Sequence, residues 1–410
     1  MKIAVFTDTY KPEINGVITS IEIFRKQLES KGHTVYLFCP SYFGRETIAD
    51  NVYRFPSTPY LFKKMAERRF VFPSLKVFWK LRKMEIDVIH SQVPANTGVF
   101  AIMLSRFRRI PHVHTYHTLF MEYRHYMPMP RPVAVWLIEE ISRRYCGRCQ
   151  RVISPSMRIR RELERYGVDA PVDVIPTGID IDPNREITPA STIRTRHGIP
   201  KGRKLLLFVG RIGREKNISF LLRVMKMLAS RRKDLCLMIV GDGPDRKRHL
   251  RELSSLKLEL NKDIVFTGYV KRDEVFSYFK AADVFTFASL TETQGLVLLE
   301  AMSMGTPVVA IDAMGVSDLL ADGRGGILCS PNEEEFAAQV ESLLDDHALY
   351  AQKVTEAGIK AEEWSIERMA ERLVESYTRA RSDFRLNRHA RYNKARLHPP
   401  APPLDPETEI

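Results

Sequence analysis

Apolar residues along the chain follow two recurring patterns: short unbroken runs, and longer stretches in which they return every three or four positions. Residues 2–7 form the first run and read as a buried strand. A turn-rich loop, DTYKPEING, follows at 8–16. Residues 17–30 then place Val17, Ile18, Ile21, Phe24 and Leu28 on one side of a helix. Gly32 ends it and 34–39 is the next strand. This β-α-β opening predicts a doubly wound α/β sheet, because parallel strands need a crossover between them. Further strands are expected at 87–90, before or at His112, at 151–154 and at 172–176.

The alternation restarts at 204–210, KLLLFVG, with a helix at 218–230 and strands at 235–240, 263–270, 284–288 and 308–310. A helix from 296 to about 304 precedes the last of these, ended by Gly305 and Pro307. After Gly326 the pattern is helical, at 333–344 and 366–379. Two such alternations predict two Rossmann-like domains, 1–180 and 201–365, joined by a linker at 181–200. A closing helix at 366–384 and an unstructured, Arg-rich then Pro-rich tail at 385–410 complete the division.

Composition leaves this picture intact. The 410 residues are 44% hydrophobic and 28% charged, an ordinary profile for a soluble globular chain. No apolar run is long enough to span a bilayer. MKIAVFT is too short for a signal peptide, so a cytosolic protein is expected. Five scattered cysteines suit reduced thiols. Cys146 and Cys149 form a C-x-x-C without a partner pair and read as structural.

Charge does change the picture. Residues 1–200 hold 31 Lys and Arg against 19 Asp and Glu, whereas 201–410 hold 32 against 31. The excess of the first half points to an anionic partner. Its densest part is 61–83, LFKKMAERRFVFPSLKVFWKLRK, with eight cations and one acid, Glu67. A helix after Pro73 would gather Leu75, Phe78 and Trp79 on one face, with Lys76, Lys80, Arg82 and Lys83 around it. That suits an anionic membrane interface. A core-packed helix with a basic outer face is the other reading. Nucleic acid is not expected, since no recognition motif accompanies the charge.

The candidate chemistry lies in the loops after strands. In TETQGLVLLEAMSMGTPVVA, 291–310, Glu292 sits in a turn and Glu300 one turn inside the following helix. The free N–H groups and dipole at that helix start suit a phosphate. Arg211 and Lys216 lie five apart after a strand, as a two-cation clamp or as partners of local acids such as Glu215. Asn15-Gly16 offers a close backbone approach or simply opens a helix; no G-x-G-x-x-G is present. In HVHTYHT, His112 and His114 share a face if a strand starts there. No third ligand supports zinc, and they read as structural.

Glu292 and Glu300, with Gln294, Gly295 and Gly305-Thr306-Pro307, resemble the E-x7-E signature of the retaining group 1, or family 4, glycosyltransferases. These have the GT-B fold, two Rossmann-like doubly wound domains facing a cleft. Gly210-Arg211 and Lys216-Asn217 match the same family, and the resemblance covers roughly residues 1–380. The turn Glu292-Thr293-Gln294-Gly295 departs from the usual E-G-F-G and resembles bacterial diacylglycerol glucosyltransferases.

The resemblance implies an N-terminal domain facing acceptor and membrane and a C-terminal domain binding a nucleotide sugar. A helix after 365 would return to the first domain. The activity implied is retaining transfer of a hexose, glucose from UDP-glucose, to a membrane lipid such as diacylglycerol, by an enzyme peripheral on the inner membrane face. No residue offers itself as a covalent nucleophile, so same-face displacement is expected. Donor contacts are expected from Gly16, Arg211, Lys216, Gly243, Val270, Glu292, Gln294, Gly295, Leu296 and Glu300, the last on ribose hydroxyls. His117, before Thr118, would position sugar or acceptor. No cofactor or essential metal is expected, and nothing sets the oligomeric state. GDP-mannose-dependent transfer to a phosphoinositide or polysaccharide precursor is the alternative within the class. A non-catalytic basic membrane- or nucleic-acid-binding module is the alternative outside it.

Overall fold

The computed structural model describes residues 1–13, 15–42, 50–59, 69–72, 75–94, 96–117, 130–292 and 294–397. The chain forms two compact units. Unit 1 holds residues 1–155, 159–175 and 370–410; unit 2 holds 156–158 and 176–369.

Unit 1 is built on β1 (Lys2–Phe6), β2 (Thr34–Pro40), β3 (Val52–Phe55), a small antiparallel pair β4 (Ser57–Pro59) and β5 (Arg69–Val71), then β6 (Val88–Ser91), β7 (His112–Thr115), β8 (Arg151–Ser154) and β9 (Val172–Val174). Seven of these form one parallel sheet in the order β3-β2-β1-β6-β7-β8-β9. Ile3, Ala4, Val5 and Phe6 are all buried, as a parallel strand covered on both faces demands. Phe6 stacks on Phe38 of β2 with ring centroids 4.7 Å apart. The helix Gly16–Ser30 is capped by Asn15, whose side-chain oxygen accepts from the Ile18 N–H at 3.0 Å.

Unit 2 is built on β10 (Lys204–Val209), β11 (Leu235–Val240), β12 (Ile264–Gly268), β13 (Val284–Phe287), β14 (Val308–Ile311) and β15 (Gly326–Cys329). These form a parallel sheet ordered β12-β11-β10-β13-β14-β15. Both sheets therefore share one winding: three strands run outward to one side, then the chain crosses to the other. The switch lies between β1 and β6 in unit 1 and between β10 and β13 in unit 2. Open α/β sheets bind ligands beyond the strand ends at such a point.

Residues 181–200, read as a linker, carry the helix Ala190–Arg196, with Ile193 and Ile199 in the unit 2 core. The last helix runs Ile366–Leu397. From Ala370 on it belongs to unit 1, where Ala370, Leu373, Tyr377 and Ala380 form its buried stripe. Asp173 accepts from the Ser376 hydroxyl at 2.7 Å, and Arg381 pairs with Asp87 at 3.0 Å. The helix continues past Arg385, where an unstructured tail was expected. Residues 385–397 contain no Gly or Pro to stop it, and the prolines begin at Pro399. Residues 398–410 lie outside the described part. All five cysteines are buried and none forms a disulfide among the described residues. No described helix is long and apolar enough to cross a membrane.

Candidate active site

In unit 2 the turn after β10 and the loop after β13 meet at the switch point. Two glycines let the first of these turns lie close against the end of β11. A Cβ at Gly241 would stand 2.0 Å from the Gly210 carbonyl oxygen, and one at Gly243 2.3 Å from that of Ile212. No side chain fits there, so the turn at Gly210–Ile212 is fixed by backbone packing. The Ser289 hydroxyl donates to the Glu215 carbonyl at 3.1 Å and fastens the β13 loop to the same turn.

Within this frame the Lys216 ammonium donates to the Glu292 carboxylate at 2.8 Å, both side chains about one-fifth exposed. They are 76 positions apart in sequence. The Glu292 carbonyl accepts from the Gly315 N–H at 2.9 Å, which fixes the base of the turn. Lys216 thus joins Glu292 rather than a local acid such as Glu215. Arg211 is exposed on the same turn and has no ion-pair partner among the described residues. Gly295 adopts φ 69°, a conformation that favours glycine, and starts the helix Leu296–Ser303. The Leu298 N–H bonds back to the Gly295 carbonyl, and those of Leu296 and Val297 have no partner among the described residues. The Gln294 side-chain oxygen accepts from the Thr177 N–H at 3.3 Å.

Glu300 pairs with Arg272 at 2.6 Å. Burial raises its pKa, opposed by Arg272 and Arg185. Arg185 is itself stacked on Phe276, 3.5 Å from the ring centroid. Val270 lies just past β12, beside the exposed Tyr269. Sequence reasoning missed Arg185 and Arg272; neither lies in a motif, and only the fold brings them to Glu300.

In unit 1 the switch point is lined differently. Asp8, after β1, accepts from the Thr97 N–H at 2.9 Å. A Cβ at Gly16 would meet nothing within 4 Å, so packing does not require that glycine. His117, after β7, is half-buried and its Nε2 lies 2.6 Å from the Gln92 side-chain oxygen. Burial pulls its pKa down to about 4. Behind it His90 Nδ1 meets the Tyr377 hydroxyl at 2.7 Å, and His90 Nε2 meets Thr115 Oγ1 at 2.7 Å. Burial pulls His90 down to about 3.

His112 and His114 share one face of β7 and converge on Ser91 Oγ, at 2.7 and 2.9 Å. Tyr145 donates to the same oxygen at 2.9 Å. Cys149 Sγ lies 3.5 Å from His112 Nδ1, so the C-x-x-C and both histidines form one buried internal network.

The basic helix Leu75–Lys83 buries Val77 and Leu81 and leaves Trp79 outward. Trp79 is 55% exposed, with the Arg82 guanidinium 5.5 Å from its ring. Lys80 lies 4.4 Å over the Tyr53 ring, and Lys83 is exposed. The side chains of Lys76 and Phe78, residues 61–68, Thr118 and Thr293 lie outside the described part.

Two family models divide the chain between them, Glycosyltransferase Family 4 at residues 14–183 and Glycosyl transferases group 1 at 190–361. An alpha-monoglucosyldiacylglycerol synthase of Streptococcus pneumoniae is 32% identical over 92% of this chain and 85% of its own length. The chain belongs to the group 1 glycosyltransferases. A GDP-mannose-dependent alpha-mannosyltransferase of Corynebacterium glutamicum is 27% identical over 92% of this chain and 88% of that relative. Among solved structures, Anabaena Alr3699/HepE in complex with UDP superimposes with a TM-score of 0.68 at 19% identity. It covers 92% of this chain and 100% of that one. The two parallel sheets are thus those of a GT-B glycosyltransferase.

Proposed function

We propose that this glycosyltransferase moves glucose from UDP-glucose to a membrane lipid such as diacylglycerol, with retention at the anomeric carbon. The observation that carries the chemistry is the unit 2 strand end, where a glycine-braced turn leads to Lys216, paired with Glu292, and to Arg211, exposed with no ion-pair partner among the described residues. Two cations and the open N–H groups of Leu296 and Val297 suit a leaving diphosphate, whose charge grows as the glycosidic bond breaks. Glu292 and Gln294 hold sugar hydroxyls beside it, Gly243 and Val270 lie near the nucleotide, and Glu300 takes the ribose. Gly16 gives open backbone for the diphosphate, and His117 orients sugar or acceptor. The acceptor oxygen bonds to C1 on the face from which the diphosphate departs, and its proton passes to a diphosphate oxygen. The chain's own cations supply the charge, so the reading needs no metal.

The lipid acceptor is supported by the likeness to the pneumococcal synthase and by the exposed Trp79, Lys80, Arg82 and Lys83 on one helix. It implies a peripheral membrane enzyme. The corynebacterial relative favours a second reading, with GDP-mannose as donor. The test is incubation with UDP-glucose or GDP-mannose, each labelled in the sugar, and vesicles with or without diacylglycerol. Label in a lipid that mild alkali converts to water-soluble glucosylglycerol, formed only with UDP-glucose and diacylglycerol, supports the first reading. Label from GDP-mannose replaces it with the second, and no labelled lipid from either overturns both.

A further inference from the structure

The buried chain behind His117 decides which of its nitrogens carries the proton. Tyr377 is fully buried, and its hydroxyl has no partner among the described residues except His90 Nδ1 at 2.7 Å. A buried O–H left without an acceptor costs about 1–3 kcal/mol. Tyr377 therefore donates and His90 Nδ1 accepts. A neutral imidazole carries one N–H, so the His90 proton sits on Nε2. Burial keeps His90 and His117 neutral, at about 3 and about 4.

The His90 Nε2–H faces two groups, Thr115 Oγ1 at 2.7 Å and the Gln92 carboxamide at 3.2 Å. Both must present oxygen to it. As placed, Gln92 turns its nitrogen to His90 and its oxygen to His117. The two ends fill the same space and a half-turn exchanges them. With the exchange every polar contact has one donor and one acceptor. Gln92 then donates to His117 Nε2, which must be the bare nitrogen.

We propose that Tyr377, His90 and Gln92 are positioning residues that hold His117 as its Nδ1–H tautomer. His117 Nδ1 has no partner among the described residues. It offers a ligand a hydrogen-bond donor, suited to a hydroxyl oxygen of the transferred hexose, and not a lone pair for taking a proton. The last helix, which carries Tyr377, thereby reaches the chemistry through four linked side chains. This rests on the reading that His117 serves the sugar.

The test uses the full chain labelled with ¹⁵N in histidine, with His117 assigned by the peak missing from His117→Gln. Two-bond ¹⁵N–¹H correlations at pH 7 should give a protonated Nδ1 and a bare Nε2. A protonated Nε2 overturns the proposal whatever the activity. In Tyr377→Phe, which keeps the ring, the His117 signals should move toward the Nε2–H form. kcat should fall about tenfold with the donor KM within twofold, an order of magnitude being the range of a lost hydrogen bond. Unchanged tautomer and kcat in that variant overturn the relay. His117→Asn, whose amide sits where Nδ1 does, should retain about tenfold more activity than His117→Gln; the reverse order overturns the donor role. An Nδ1–H tautomer together with a fully active His117→Ala supports the relay and sinks the catalytic reading of His117 instead.

Discussion

The two switch points have the same winding and opposite chemistry. That of unit 2 is ionic: Lys216 pairs with Glu292, Arg272 pairs with Glu300, and Arg211 is exposed with no ion-pair partner among the described residues. That of unit 1 has Asp8 tied to a backbone N–H and, beside it, a neutral chain in which His90, Gln92, Thr115 and Tyr377 are joined by hydrogen bonds to His117. One arrangement suits the binding of charge, the other the fixing of a donor's direction. A Rossmann-like sheet supplies the strand ends in both cases, and the side chains after each strand set the use.

The largest break in this comparison comes from removing the cations. Arg211→Ala and Lys216→Ala should each lower kcat by about 10²–10³, the typical loss of a preorganised electrostatic donor. Circular dichroism should show both variants folded. Turnover near wild type in both would move the diphosphate site elsewhere.

Acid should separate the units next. His90 and His112 are held at about 3 in the folded unit 1, against about 6.5 for an unperturbed histidine. Below pH 6.5 the unfolded chain binds protons that the folded unit does not, so stability falls as pH drops from about 6.5 toward 3. The loss approaches about 1.4 kcal/mol per pH unit for each histidine. Hydrogen exchange should show β6 and β7 losing protection before β10 and β13 between pH 6.5 and 4.5. Equal loss in both units would remove the contrast.

Glu300 sharpens the comparison from the other side. Burial raises its pKa, so the charged form is costly at pH 7 and that cost shrinks as the pH falls. Glu300→Gln should leave thermal stability at pH 7 nearly unchanged. Donor binding should weaken by about 10–100-fold, the worth of a hydrogen bond to a charged group. A large drop in melting temperature with unchanged binding would make Glu300 a structural residue.

The basic helix Leu75–Lys83 gives a smaller effect. Changing Lys76, Lys80, Arg82 and Lys83 to Gln should weaken sedimentation with phosphatidylglycerol vesicles, by at most about 1 kcal/mol per cation. It should leave glycosylation of a short-chain soluble acceptor close to normal. Equal sedimentation of both proteins would exclude the segment. The smallest effect is expected from chelation: EDTA should leave turnover largely intact. Loss restored by magnesium or manganese would require a metal at the diphosphate.

Much of the fold was legible because parallel strands read as unbroken apolar runs and helices as periodic ones. The group 1 motif likewise marked Arg211, Lys216 and Glu292, which lie in short loops after strands, and Glu300, which follows Glu292 at a fixed spacing in the next helix. Pairings across the sheet were not legible. Nothing near Gln92 or His90 announces Tyr377, which lies 287 positions beyond His90. That Val77 and Leu81 would be the buried side of the short basic helix was not legible, because two apolar stripes compete on it and packing decides between them. The helix past Arg385 was hidden by polar composition, which disfavours a core but not a helix anchored upstream.

The division of labour between the two switch points is tested most directly by calorimetric binding of UDP to wild type, Lys216→Ala and His117→Ala. The account predicts UDP binding weakened at least about tenfold in Lys216→Ala and within twofold of wild type in His117→Ala, since UDP carries the charge but not the sugar. Full affinity in Lys216→Ala, with binding lost in His117→Ala, would contradict it.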